Sequence, residues 1–212
     1  MDDVRIRRSH IFPREQNEHY VEPAWCSRRL FDVERFSGAI VDPACGWGTI
    51  VINAKQAGYE AAGYDLVDRG WDSVMTGTDF LTNEIVYDNL VTNPPYNIMP
   101  QFVTHAVKCA RWKAAAIIPL ARIPAAHWLE RLPLARIWLL TPRPSMPPGA
   151  YIKAGNVPGN GRVDYCWAVF NHGHIGPPTM HWLHREELPD GSRPPRASDS
   201  SRDQAVLGLE GP

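Results

Sequence analysis

A short apolar run, Ala39-Ile40-Val41, passes without interruption into Asp42-Pro43-Ala44-Cys45-Gly46-Trp47-Gly48, and the residues from Thr49 to Ala57 then carry a helical pattern that Gly58 stops. Strand, glycine turn and helix in immediate succession leave few folds open. Gly46 and Gly48 let the backbone turn tightly and approach a ligand closely, and the helix that opens there offers free N–H groups. Two spaced glycines alone are common in tight turns. The next apolar run, Ala61-Ala62-Gly63-Tyr64, gives the pair its meaning, because it ends in Asp65-Leu66. Asp65 lies roughly 20 residues beyond the glycines, where a dinucleotide-type fold places the acid that binds ribose hydroxyls. The turn lacks the third glycine of the full fingerprint, and Asp42-Pro43 puts an acid at the strand end. That acid repels a pyrophosphate and suits a cation. The expected ligand is an adenosine carrying a positive group, rather than NAD.

A second strand end is as unusual. Asn89-Leu90-Val91-Thr92 runs into Asn93-Pro94-Pro95-Tyr96-Asn97. Consecutive prolines remove two backbone donors and fix φ, so this stretch is a stiff loop and continues neither helix nor interior strand. Such a loop can hold the Asn93 amide oxygen and the Pro94 carbonyl as two acceptors converging on one planar amino group, with Tyr96 flat against the ring that bears it. In isolation the tetrapeptide reads as a proline-rich turn with a surface tyrosine. The cofactor-like turn upstream favours the chemical reading.

Strands and helices alternate along the rest of the chain. A helix-like stretch follows Tyr20-Val21-Glu22-Pro23-Ala24-Trp25 as far as about Phe36, and a third strand lies around Ser73-Val74-Met75, followed by Asp79-Phe80. Asp79 can accept from an adenine amino group while Phe80 packs against its face. A helix from about Met99 to Arg111, a strand at Ala114 to Leu120, a short helix around Ala125 to Leu132 and strands at Ala135 to Leu140 and Asp164 to Phe170 complete the pattern. This order implies an α/β fold with a mostly parallel sheet and helices on both faces. Ligands bind such sheets at the carboxyl ends of the strands, where Gly46, Asp65, Asp79 and Asn93 all fall. The long connection from Thr141 to Val163 carries Arg143, Tyr151 and Lys153 and leaves its strand at that same edge. Loops of such length are uncommon unless functional, so it is expected to overhang the site and contact substrate.

Composition sets outer limits. At 212 residues the chain suits one α/β domain, expected over 19–187, with a loose arm over 1–18 and a disordered Pro, Gly and Ser-rich tail over 188–212. Charged residues make up 21% and hydrophobic ones 44%, and no apolar run approaches the roughly 20 residues that cross a bilayer. The polar N-terminus lacks the apolar centre of a secretory signal, so a cytoplasmic protein without a membrane partner is expected. Cys26, Cys45, Cys109 and Cys166 are far apart among apolar neighbours, as buried thiols are. His172, His174, His181 and His184 have no acid or cysteine at ligand spacing, so no metal is expected. A net charge of −1 means that any nucleic-acid role needs a local basic face.

With these residues in order, the chain resembles the class I S-adenosylmethionine-dependent methyltransferases, and among them the amino-group methyltransferases that bear Asn-Pro-Pro-Tyr. The likeness spans about residues 20 to 171. It implies a Rossmann-like, seven-stranded sheet whose last strand, Asp164 to Phe170, is antiparallel. It also implies that Asp42, Pro43, Ala44, Gly46 and Gly48 form the first cofactor motif, Asp65 with Leu66 the ribose end, Asp79 and Phe80 the adenine contact, and Asn93 to Tyr96 the catalytic loop. Tyr20 and Pro23 are similar to the segment that closes over the methionine end of the cofactor. Small phage and prophage DNA adenine-N6 methyltransferases look closest. The resemblance implies S-adenosyl-L-methionine as cofactor, DNA rather than RNA as partner, and a monomer or a dimer. Specificity is expected to be weak or supplied by the 141–163 loop with Tyr96, Asn97, Arg143, Tyr151 and Lys153. Methylation of RNA bases or of protein glutamine, and cofactor binding without catalysis, are the alternatives.

Overall fold

The apolar runs and their stops translate directly into elements. The computed structural model of the chain describes residues 19–72 and 74–186. The arm expected over 1–18 and the tail expected over 188–212 lie outside the described residues. Helix α1 (Ala24–Val33) opens at Pro23 and precedes β1 (Ile40–Asp42), α2 (Thr49–Gln56) and β2 (Ala61–Asp65). After β3 (Met75–Thr76) come β4 (Tyr87–Thr92), α3 (Met99–Cys109), β5 (Ala110–Pro119), β6 (Leu134–Thr141), α4 (Gly149–Lys153), β7 (Tyr165–Asn171) and β8 (Thr179–His184).

These strands form one sheet in the order β3-β2-β1-β4-β5-β7-β6-β8. Strand β1 pairs in parallel with β2 and β4, and β4 with β5. Strand β7 runs antiparallel to both β5 and β6, with Ile117 opposite Trp167 and Trp138 opposite the same residue. The sheet has eight strands among the described residues, not the expected seven, and the antiparallel strand is not the last. Strand β8 joins the edge in parallel with β6. Only Leu183 of that strand is buried, and the alternating apolar residues Met180 and Trp182 are exposed, so it is not a half-buried strand with its apolar face inward.

From β1 the chain steps outward to β2, and from β4 it steps the other way to β5. Right-handed crossovers in opposite directions put α2 and α3 on opposite faces of the sheet. Helix α1 packs on α2, where Asn53 donates to Ala24 O at 2.8 Å and to Ser27 Oγ at 2.8 Å. It also reaches β7, where the fully buried Trp167 donates its indole N–H to Cys26 O at 2.9 Å. All four cysteines are buried free thiols.

Helix α1 stops at Val33, three residues before the expected end. Glu34 turns inward there, 2% exposed, and its carboxylate accepts from Lys113, from Trp138 Nε1 and from Arg136. These donors hold its proton affinity below the usual carboxylate value although burial acts the other way. The expected helix at 125–132 is instead two 3₁₀ turns, Leu120–Ala125 and Leu129–Arg131. Pro124 lies inside the first and bars a regular helix there.

Candidate active site

The direction of chain travel reverses between β1 and β4, so this pair is the topological switch point of the sheet, and a crevice opens beyond the carboxyl ends of its strands. Asp42 ends β1, Asp65 ends β2 and Asn93 follows β4. A cavity there is lined by Asp42, Ala44, Gly46, Asp65, Asn93, Pro94 and Pro95, and also by His19, Tyr20, Glu22, Trp47 and Thr49. The structure thus brings together seven of the residues expected to bind cofactor or carry catalysis, with Tyr20 as an eighth. Gly46 and Gly48 adopt positive φ, 52° and 77°, which side chains rarely tolerate. A Cβ on Gly48 would collide with the Trp71 indole.

Three carboxylates face this cavity. Asp65 accepts the Gly46 N–H and the Val67 N–H, each at 2.9 Å, which ties the glycine turn to the end of β2. Asp42 is 1% exposed; burial, and next the charge of Glu22, push its proton affinity well above the usual value. Glu22 is 8% exposed and is raised to about 7, chiefly by burial, with the Asn93 hydrogen bond opposing. Three carboxylates that can ionise against a cation, beside a helix N-terminus, suit a ligand that carries both a positive charge and hydrogen-bonding hydroxyls.

The Asn-Pro-Pro-Tyr loop is held from several sides. Asn93 Nδ2 donates to Tyr20 O at 2.8 Å and to Glu22 Oε2 at 2.9 Å, while its Oδ1 accepts from the Tyr96 hydroxyl at 2.9 Å. Arg122 donates to Tyr96 O at 2.7 Å. Tyr96 is 5% exposed, stacked on Tyr20 with ring centres 5.5 Å apart, and its hydroxyl also meets Met146 Sδ. The face expected to hold a substrate ring carries Tyr20 in this structure. Burial pushes the Tyr96 hydroxyl well above its ordinary proton affinity, so it stays a donor.

Residues 19–22 form a strap across the crevice. Gly149 N donates to His19 O at 2.8 Å, Val21 N donates to Pro147 O at 2.9 Å, and Tyr20 bridges Pro148. The His19 ring meets Trp47 edge-on at 5.2 Å and sits where a Cβ on either Gly46 or Gly149 would collide with it. It leaves about 30 Å³ of free space, room for water and not for a nucleoside. Burial, then Arg69, lower the His19 proton affinity to about 4, so the ring is neutral at physiological pH.

The remaining expected residues lie further out. Pro23 caps α1, and Leu66 is 54% exposed beyond Asp65. Asp79 accepts the Leu81 N–H of a 3₁₀ turn, and Phe80 is 2% exposed against Phe102 and His105. Neither lines the cavity, and Phe80 points its ring into the core rather than toward a ligand. A second, larger cavity of about 900 Å³ lies on the other side of Tyr20 and Tyr96, lined also by Arg122, Met146, Tyr151, Arg162 and Tyr165. Tyr151 thus faces this second cavity and not the one at the switch point. Arg143 pairs with Asp164 at the rim at 2.6 Å, Asn97 is exposed, and Lys153 turns toward Arg69 O and over Trp47. Lys153 thus lies on the glycine-turn side of the strap and does not line the larger cavity. Among the described residues no group of three His, Cys, Asp or Glu side chains is placed to hold a metal ion, and no helix is long and apolar enough to cross a membrane.

Sequence reasoning passed over Glu22, His19 and Arg122. Only Glu22 had a visible signal, an acid between Tyr20 and Pro23, both of which were singled out.

No protein-family model and no curated protein matches the sequence. Solved structures do. A modification subunit of a putative type I restriction enzyme from Vibrio vulnificus aligns at 13% identity over 82% of this chain and 48% of its own, with a TM-score of 0.54. The M protein of the type I restriction enzyme EcoKI aligns at 15% identity over 82% and 50%, with a TM-score of 0.53. A putative RNA methyltransferase from Pyrococcus horikoshii aligns at 16% over 70% and 81%, with a TM-score of 0.50. The chain spans about half the length of the two restriction-enzyme subunits it matches. It has the α/β fold of methyltransferases, with a mostly parallel sheet.

Proposed function

We propose that the chain is an S-adenosylmethionine-dependent methyltransferase acting on an exocyclic amino group of nucleic acid, most specifically adenine N6 in DNA. The observation that carries this is the convergence of Asn93 with Asp42 and Asp65 at the switch point, an amine acceptor beside a cation-binding, ribose-binding cavity. The donor set fits the cofactor, since Asp65 can accept from ribose hydroxyls while Asp42 offsets positive charge. When bound, the cofactor supplies an electrophilic sulfonium methyl and leaves as a neutral thioether.

The protein's own part is geometric. An aromatic amine is a poor nucleophile because its lone pair is delocalised into the ring. Asn93 Oδ1 and the Pro94 carbonyl accept its two hydrogens, which favours a pyramidal nitrogen and aims the lone pair. The base enters extruded from its stack through the larger cavity, among Tyr96, Tyr151 and Tyr165, with Arg122 and Arg162 near its phosphates. His19 and Tyr20 shift first, because they fill the cofactor space and cover Tyr96.

The type I modification subunits, with which the fold is shared, support DNA. The archaeal putative RNA methyltransferase, which is matched over 81% of its length, supports RNA as the second reading. Incubation with methyl-labelled cofactor and duplex DNA, single-stranded DNA or RNA separates them by which polymer becomes labelled. Label in none of the three refutes both.

A further inference from the structure

An asparagine carboxamide has two donors and two acceptor lone pairs. In Asn93 both donors are used, by Tyr20 O and Glu22 Oε2, and one lone pair accepts the Tyr96 hydroxyl. One acceptor position on Oδ1 is left, and it is the one that an incoming amine needs. Rotating the carboxamide by half a turn would set Oδ1 against two acceptors and Nδ2 against a donated hydroxyl proton. Of the contacts that forbid this rotation, Glu22 is the charged one, and an ionised acceptor makes a markedly stronger hydrogen bond than a neutral one. Its place is fixed by the strap, through the bonds of Val21 to Pro147 and of Gly149 to His19.

We propose that Glu22 is a positioning residue, whose carboxylate locks the Asn93 carboxamide so that Oδ1 rather than Nδ2 meets the target amine, a role that rests on the amine-acceptor reading of Asn93. Glu22 does not touch the reacting atoms and acts through Asn93. Among the described residues, the ionisable groups that share this cavity or act on it are Asp42 at the end of β1, Asp65 at the end of β2, Cys45 in the glycine turn, His19 on the same strap and Tyr96 in the catalytic loop. Of these, Asp42 shares its charge type and burial most closely, so the two carboxylates oppose one another's ionisation. The lock therefore strengthens as Glu22 ionises and loosens when it is protonated, around neutral pH.

The first test needs no catalysis. In the cofactor-free protein labelled with ¹⁵N-asparagine, the Asn93 side-chain amide pair is assigned by its loss in Asn93→Ala. It is expected to shift with pH around a midpoint near 7 in the wild type and to stay flat through that range in Glu22→Gln. A pair that does not titrate in the wild type, or titrates equally in the variant, overturns the proposal. The second test splits the kinetic constants. Glu22→Ala should lower kcat about ten-fold or more while cofactor Kd changes by less than about three-fold, and Glu22→Gln, which keeps an acceptor but not the charge, should hold kcat near the level of the protonated wild type at every pH, without the acid limb. An unchanged kcat in Glu22→Ala also overturns the proposal. If the wild type methylates no nucleic acid, the functional reading fails by itself, and the amide titration still decides whether Glu22 holds Asn93.

Discussion

Replacing Glu22 by Gln removes a buried ionisable group at nearly constant shape, and its effect on stability should depend on pH in a calculable way. Burial raises the Glu22 proton affinity from 4.5 to about 7. Between those values the folded chain holds a proton that the unfolded chain has released, so the contribution is fully present below 4.5 and lost as pH rises through about 7. At about 1.4 kcal/mol per pH unit, this group alone makes the protein about 2.5 kcal/mol less stable at pH 8 than at pH 5. Asp42 lowers that figure, since it ionises more readily once Glu22 is neutral. His19 acts in the opposite sense. Depressed from 6.5 to about 4, its contribution is present above 6.5 and lost as pH falls toward about 4. The wild-type profile mixes the two, but His19 is common to both proteins, so the difference between them isolates Glu22. Urea unfolding at pH 5, 6, 7 and 8 should show the advantage of Glu22→Gln over wild type growing by about 2 kcal/mol toward pH 8. A difference constant to within about 0.5 kcal/mol would refute the burial of an ionisable carboxylate at this place.

Asp65→Ala should weaken cofactor binding at least about ten-fold in a calorimetric titration, since it removes both the ribose acceptor and the partner of the Gly46 N–H. Glu34→Ala leaves Arg136 and Lys113 facing a buried gap and should cost about 3 kcal/mol in denaturant unfolding, with methyl transfer per folded molecule unchanged. His19→Ala should speed cofactor association in stopped-flow fluorescence, because its ring occupies the space between Gly46 and Gly149; an unchanged rate would mean that the strap does not limit entry.

What the sequence made legible is the set of strand ends. Asp42, Asp65 and Asn93 each close an apolar run, and the alternation of strands with helices was enough to place all three at one edge, because parallel strands share a carboxyl end. What it hid depends on tertiary contacts. Strand β8 is a short edge strand whose alternating Met180 and Trp182 are exposed, so its pattern does not point to a core. Strand β5 begins at Ala110, directly after α3, although Arg111 and Trp112 are exposed and break its apolar pattern. Phe80 reads as a ligand contact beside Asp79, but Phe102 and His105 draw it into the core. The strap residues His19 and Glu22 carry no local periodicity, and their importance arises only when the chain crosses the crevice and meets Gly46, Gly149 and Asn93.

The most direct measurement is nucleoside mass spectrometry on DNA from cells expressing the wild-type chain or Asn93→Ala. N6-methyladenine above background with the wild type and at background with the variant is the expected result, with purified Asn93→Ala still binding cofactor within a few-fold of wild type. Equal N6-methyladenine in both, or methylation confined to ring carbons or phosphates, would contradict an asparagine-held amine as the methyl acceptor.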